Sequence, residues 1–521
     1  MQDIFLKIVY FFVFILLFFI RIYGLNQIGL AEYDSVFNFQ VIQAMDKGNW
    51  QQLFQHGSPT FFIFFYLCYQ LFPSYLFLEY VNCLVSVIAL AYCIRTLAQA
   101  AQYDLFKEIL LLFFAGFSVF LVYSTRSFAI ESLSLLCFAL LFKQLLLNYI
   151  DKKDLFFTKN YYLFWWIFTI FLTINYKIIL LLPIFFLLII FKIHYYFGLK
   201  KIISFLYYQT TYLLKIIAIL FVPFILYTFV GVVIGLKWTS YIGHWVYVLV
   251  LRKNLNPWKA TYTFHPDIDF YFQYLIQYEN VVLLVGIITT IYYCYQFITN
   301  FKRNLLKNNI FLIVSVFVIF TLLSMSFLPK APRALLFIFP FLYFLSFHFF
   351  VGFFTKFIQK KLLQYAMLLF TLVNVILQHH YLYEYIYRYT KTSYPLIIKY
   401  LQVNKIEKIA VTVSLNIYPF LPPSIKAKQI LRLKEVPQLQ ANGYEYYLLD
   451  DFTKIVGAVG FEDLVNRHIV VLSLPEPTLV APIVYFEHCE FNNYTFEEAQ
   501  KVQQKMSTQT NHLTLIRLRK E

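Results

Sequence analysis

Charge is scarce in this chain: 13% of its 521 residues are Asp, Glu, Lys or Arg, against about 25% in ordinary soluble domains. A soluble fold needs polar cover for its surface, so this scarcity excludes a water-soluble globular protein of this size. Cysteine is also sparse. Cys68, Cys83, Cys93, Cys137 and Cys294 lie in apolar runs and Cys489 stands alone in the polar tail, which excludes a disulfide framework and a zinc site. Glycine numbers only 14, and no two halves repeat paired Gly or Pro breaks, as a transporter built from inverted repeats would. The net charge of +16 does not indicate a nucleic-acid binder, because the basic residues fall in short loops between apolar runs, the positive-inside pattern.

What remains is 60% hydrophobic and 21% aromatic, with a mean hydropathy of +0.65. Apolar runs long enough for a hydrocarbon core about 30 Å thick recur along the chain. The first, from Ile4 to Phe19, is followed by no small-residue cleavage site and reads as a retained span. Crossings are expected near 4–22, 76–95, 108–124, 128–149, 160–176, 178–195, 214–236, 279–297, 309–327, 334–352 and 362–379. With about eleven crossings and Lys/Arg clusters at 95–107, 152–159, 192–215, 302–307 and 356–361 held inside, the C-terminal region lies outside. The run 58–72 breaks that parity and is read as a helix dipping into the outer leaflet. Residues 34–54 read as an amphipathic helix on the membrane surface.

The expected fold class is therefore a polytopic α-helical membrane protein with a C-terminal soluble α/β domain. Residues 1–384 form the transmembrane domain, with a first external loop at 23–75 and a long external loop at 237–278. Residues 385–521 form the extracytoplasmic domain. In it, 405–421 and 466–474 read as short strands, 495–506 as a helix capped by Thr495, and 516–520 as an edge strand.

This topology gathers ionisable residues on one side of the membrane, where each is costly and a functional candidate. Glu32 and Asp34 stand two apart in the first external loop. Arg126, with Glu131 a turn beyond, Lys177, Lys330 and Arg333 lie at the ends of later spans, and His265, Asp267 and Asp269 lie in "HPDID". Each cation alone could snorkel to headgroup phosphates, and Asp34 alone could cap the helix starting at Ser35. Together they read as a base facing a cradle for an anion. "HPDID" lacks metal-ligand spacing, so no cofactor is expected, with a divalent metal as the alternative.

The segments "AEYDSVFNFQVIQAMDKGNW", "HGSPTFFIFFYLCYQLF", "VYSTRSFAIESLSLLCFALLF" and "LPKAPRALLFIFPFLYFL" together resemble GT-C superfamily glycosyltransferases. The similarity is to the bacterial family-39-like enzymes and protein O-mannosyltransferases. The chain departs from them in spacing its acids as Glu32 and Asp34, and in having His56-Gly-Ser-Pro59 where His-Pro-Pro is usual. The resemblance implies transfer of a sugar from a polyprenyl-phosphate donor to a glycan, lipid or protein acceptor on the outer face of the cell's inner or plasma membrane. It implies Asp34 as general base with Glu32 beside it. Arg126, Lys177, Lys330 and Arg333 would hold the donor phosphate, and His56, His265 and Asp267 would bind substrate. A flippase or transporter of lipid-linked glycans is the alternative.

Overall fold

In the computed structural model the described residues are 2–30, 33–150, 159–181, 183–185, 210–246, 266–299, 310–327, 330–412, 416–430, 432–451, 461–487 and 494–519. They form a mostly helical protein with one small sheet near the C-terminus. The helices used below are α1 (Gln2–Ile22), α2 (Tyr33–Asp46), α3 (Pro59–Leu71), α4 (Tyr75–Ala100), α5 (Leu105–Gly116), α6 (Val119–Arg126) and α7 (Glu131–Ile150). They continue as α8 (Lys159–Leu172), α9 (Thr210–Val233), α10 (Ser240–Val246), α11 (Asp269–Tyr278), α12 (Val282–Thr299), α13 (Ile310–Ser326), α14 (Phe339–Phe357) and α15 (Lys360–Tyr385).

Among the described residues, five segments are helical, long and apolar enough to cross a membrane: Asp3–Ile28, Tyr75–Ala100, Leu214–Val233, Phe339–Phe357 and Leu362–Val403. A sixth arises if α5 and α6, inclined at 66°, count as one span. Four shorter apolar helices, Pro59–Leu71, Tyr162–Leu172, Val282–Gln296 and Ile310–Ser326, accompany them. These are the helices of a membrane protein. Among the described residues they number fewer than the expected eleven crossings, and most of 178–195 lies outside those residues. Helix α3 has 13 residues, about 20 Å at 1.5 Å per residue, too short to cross unaided. Its Phe61, Phe62 and Phe65 are buried, and α2 packs along it through Phe39 and Tyr69, whose rings meet edge-on at 6.0 Å. Helix α2 is thus largely buried under α3, where the sequence suggested a surface-lying helix: Ser35, Val36, Asn38, Val41, Ile42 and Met45 are all enclosed.

Close helix contact is bought with small residues. A Cβ at Gly286 of α12 would stand 2.6 Å from the Leu342 carbonyl oxygen of α14 and 2.7 Å from Ser346 Oγ. Ser346 in turn donates to the Val282 carbonyl at 3.0 Å. Because a backbone atom is in the way, Gly286→Ala is expected to push the two helices apart and cost about 1–3 kcal/mol. A lower thermal midpoint in detergent checks this, and an unchanged midpoint contradicts it.

After α15 the chain runs through α16 (Tyr394–Val403) into β1 (Lys408–Val411), β2 (Lys426–Gln429), β3 (Tyr446–Asp450), β4 (Ile469–Pro475) and β5 (His512–Arg517), with α19 (Pro482–Glu487) and α20 (Phe496–Ser507) before β5. Between them lie α17 (Val436–Ala441) and α18 (Phe461–Arg467). The sheet order is β2-β1-β3-β5-β4, parallel from β2 to β3 and antiparallel beyond. The expected edge strand at 516–520 is corrected: β5 starts earlier and lies inside the sheet, because Leu513 and Leu515 feed one buried face and Ile516 the other. Helix α20 begins as expected, with a reciprocal capping box between Thr495 and Glu498.

This sheet unit is tied to the helical part at several points. Phe486 and Phe496 pack with Tyr278 of α11 at ring distances of 4.7 and 6.4 Å. The Glu476 carboxyl accepts from the Ser393 backbone N–H at 2.7 Å and the Thr392 hydroxyl at 3.0 Å.

Candidate functional site

Helix α2 follows α1 after a turn at 25–28, and Asp34 falls in its first turn, at the positive end of the helix. Asn38, one turn further, donates to the Phe128 carbonyl at 3.0 Å. That carbonyl belongs to the bend 127–130 between α6 and α7. From the other side, Asn82 of α4 donates to the carbonyls of Thr125 at 2.9 Å and Ser127 at 2.8 Å. The bend is thus pinned by two buried asparagines, with Glu131 opening α7 directly after it. Asn82→Ala would remove two buried hydrogen bonds that hold the bend, at about 1–3 kcal/mol in total. A lowered thermal midpoint is expected; an Ala variant as stable as the parent would contradict this role.

Arg333 comes from a third place, the turn Pro332–Leu335 leading into α14. Its Nη1 stands 3.7 Å from Asp34 Oδ2, with the two side chains 18% and 40% exposed. At that distance this single ion pair contributes about 0–1 kcal/mol. The pair borders a small, open cleft. Asp34, Tyr123, Ser124, Ser127, Ala129, Glu131 and Arg333 line it. The cleft brings a carboxylate next to a guanidinium, with a second carboxyl side chain in Glu131 and the hydroxyl-bearing side chains of Tyr123, Ser124 and Ser127 in its wall.

The expected residues are placed unequally. Asp34 and Arg333 are brought together. Arg126 is corrected: it is buried and does not line the cleft, its Nη1 donating to the carbonyls of Arg21 at 2.9 Å and Tyr23 at 2.6 Å. The end of α1 leaves carbonyls without intrahelical donors, and Arg126 supplies them, its guanidinium 5.5 Å from the Tyr387 ring. Lys330 is buried just before the Arg333 turn and is not among the lining residues. Asp267 does not line the cleft and is engaged at the start of α11. Its Oδ1 accepts from the backbone N–H groups of Asp269 at 3.1 Å and Phe270 at 3.0 Å, capping α11, and its Oδ2 faces the Phe496 N–H at 3.4 Å. Glu32 and His265, and the side chains of His56 and Lys177, lie outside the described residues.

The sequence reading missed Tyr123, Ser124 and Ser127 and used Glu131 only as a neighbour of Arg126. The available signal was the density of hydroxyls in "YSTRSFAIES" between two apolar helices. Among the described residues no group of three or more His, Cys, Asp or Glu is arranged to hold a metal ion. No protein-family model matches the chain, and no curated protein matches it either.

Proposed function

We propose that this membrane protein is a glycosyltransferase that moves a sugar, a hexose in the simplest case, from a polyprenyl-phosphate donor to an acceptor hydroxyl at the Asp34–Arg333 cleft. The observation that carries the reading is the apposition of one half-exposed carboxylate and one guanidinium in an open, hydroxyl-lined cleft among apolar helices. The resemblance of the segments around Asp34, Arg126 and Arg333 to GT-C enzymes supports the same reaction class. The site belongs, on this reading, to the extracytoplasmic face of a multi-pass protein of the inner or plasma membrane.

In the reaction, the Asp34 carboxylate takes the acceptor's hydroxyl proton as that oxygen attacks the anomeric carbon. The bond from that carbon to the phosphate oxygen breaks, and its electron pair leaves with the polyprenyl phosphate. Arg333 stabilises the charge that develops there. Direct displacement inverts the anomeric configuration. Glu131, Ser124, Ser127 and Tyr123 accept and donate hydrogen bonds to sugar hydroxyls, and the apolar helices around the cleft hold the polyprenyl chain.

The test is to give the purified protein a labelled polyprenyl-phosphate hexose and an outer-envelope acceptor fraction. Label leaving the lipid for the acceptor, with inverted anomeric configuration, is the expected result. In vesicles, label that crosses the bilayer still attached to its lipid would replace transfer with flipping.

A further inference from the structure

The described residues include a carboxyl group that is not among the cleft's lining residues and lies wholly inside the protein. Glu279, in the turn between α11 and α12, is fully buried. Burying such a group is costly unless its oxygens are satisfied, and here they are satisfied chiefly at the break between α5 and α6. Ser118 Oγ lies 3.2 Å from both carboxyl oxygens, the Val119 N–H donates to Oε2 at 3.3 Å, and the Phe120 N–H donates to Oε1. Tyr343 of α14 donates its hydroxyl to Oε2 at 2.9 Å, and Gln378 of α15 donates to that hydroxyl at 2.6 Å.

The first amide groups of a helix have no partner within it. Ser118 caps α6 from within, accepting from the Leu121 N–H at 3.2 Å. Glu279 takes the amides that Ser118 leaves, from a position 160 residues away in sequence for Val119. Helix α6 is only eight residues long, about 12 Å, and ends in the pinned bend of the cleft. Tyr123 and Ser124 of α6 and Ser127 just beyond it line that cleft. Because α6 is so short, its direction at the N-terminus bears on where those side chains stand. The turn carrying Glu279 is itself held by the sheet unit, through Gln500 donating to the Gln277 side chain at 3.2 Å and the packing of Tyr278 on Phe486.

We infer that Glu279 is a positioning residue: it fixes the direction of α6 at the helix break and so sets the cleft wall against Asp34 and Arg333. Its effect on turnover rests on the transferase reading above; its effect on α6 does not.

The experiment is hydrogen exchange read by mass spectrometry on the detergent-solubilised full chain, for wild type, Glu279→Gln and Glu279→Ala, alongside donor kinetics. Glu279→Ala should speed exchange in peptides covering 117–130 roughly tenfold, the scale of a lost helix cap, and leave α13 and α15 unchanged. Glu279→Gln, which keeps one acceptor oxygen in place, should restore most of the protection. In the kinetics, Glu279→Ala should lower kcat by a similar factor while KM for the donor holds, with Glu279→Gln again intermediate. Should Glu279→Ala not fold, Tyr343→Phe, which removes one donor and leaves the α6 contacts, should give a smaller rise confined to the same peptides. Unchanged exchange at 117–130 in every variant overturns the inference. Raised exchange with unchanged kcat overturns its link to the cleft. A wild type that transfers no sugar overturns the transferase reading alone, since the exchange data still decide whether Glu279 fixes α6.

Discussion

Asp34→Asn is expected to lower sugar transfer by about 10²–10⁴-fold while leaving the amount and thermal stability of folded protein unchanged. The carboxamide fills the same space and keeps a hydrogen-bonding oxygen, so the packing of α2 under α3 is undisturbed. It cannot take a proton from an attacking hydroxyl. The side chain is 40% exposed and its ion pair with Arg333 is long, so the loss of that pair costs little stability. An activity loss without a stability loss therefore separates a catalytic from an architectural role. Initial rates with saturating donor, together with a thermal unfolding curve, check both halves. A variant as active as wild type would move the base elsewhere, with Glu131 the first candidate in the described cleft.

Arg333→Ala is expected to cost about 10²–10³-fold in kcat, the range for removing one charge-stabilising donor aimed at a developing anion. The loss should fall mainly on kcat, because the charge on the departing phosphate is greater in the transition state than in the bound donor. Arg333→Lys should recover only part of it, since the ammonium keeps the charge and loses the planar fork. Arg333 is well placed to show this cleanly. It sits in a short turn at the cleft, whereas Arg126 is built into the α1–α6 junction and its removal would unsettle the fold. Kinetics of the three Arg333 forms against donor concentration test the prediction; a change in KM alone would make Arg333 a simple binding residue.

The membrane character of the chain was legible because it depends on composition and run length alone. The pairing of Asp34 with Arg333 was legible to the extent that both are costly residues at span ends on one side. What failed was the assumption that all such residues converge. Arg126 has the same sequence signature as Arg333, a cation at the end of an apolar run. Which of the two faces a cleft depends on whether a neighbouring helix end presents unpaired carbonyls, and this is a tertiary fact. Asp267 failed for the opposite reason: an Asp two residues before a helix has local backbone N–H groups to accept from. Strands β2 and β3 went unread because "KAKQ" shows no apolar alternation and "YYLLD" no period at all; their partners in the sheet define them. The break at 117–118 carries neither a proline nor a long polar run, so nothing local announced that a distant Glu279 would complete it.

The most direct test of the central claim is the rate of polyprenyl phosphate release from a labelled polyprenyl-phosphate hexose, measured for wild type, Asp34→Asn, Arg333→Ala and the double variant. The account predicts release by wild type, a large loss in each single variant, and a double variant little worse than the more damaging single one, because the two groups act on the same transition state. No release by wild type from any such donor, or release equal in all four proteins, would contradict it.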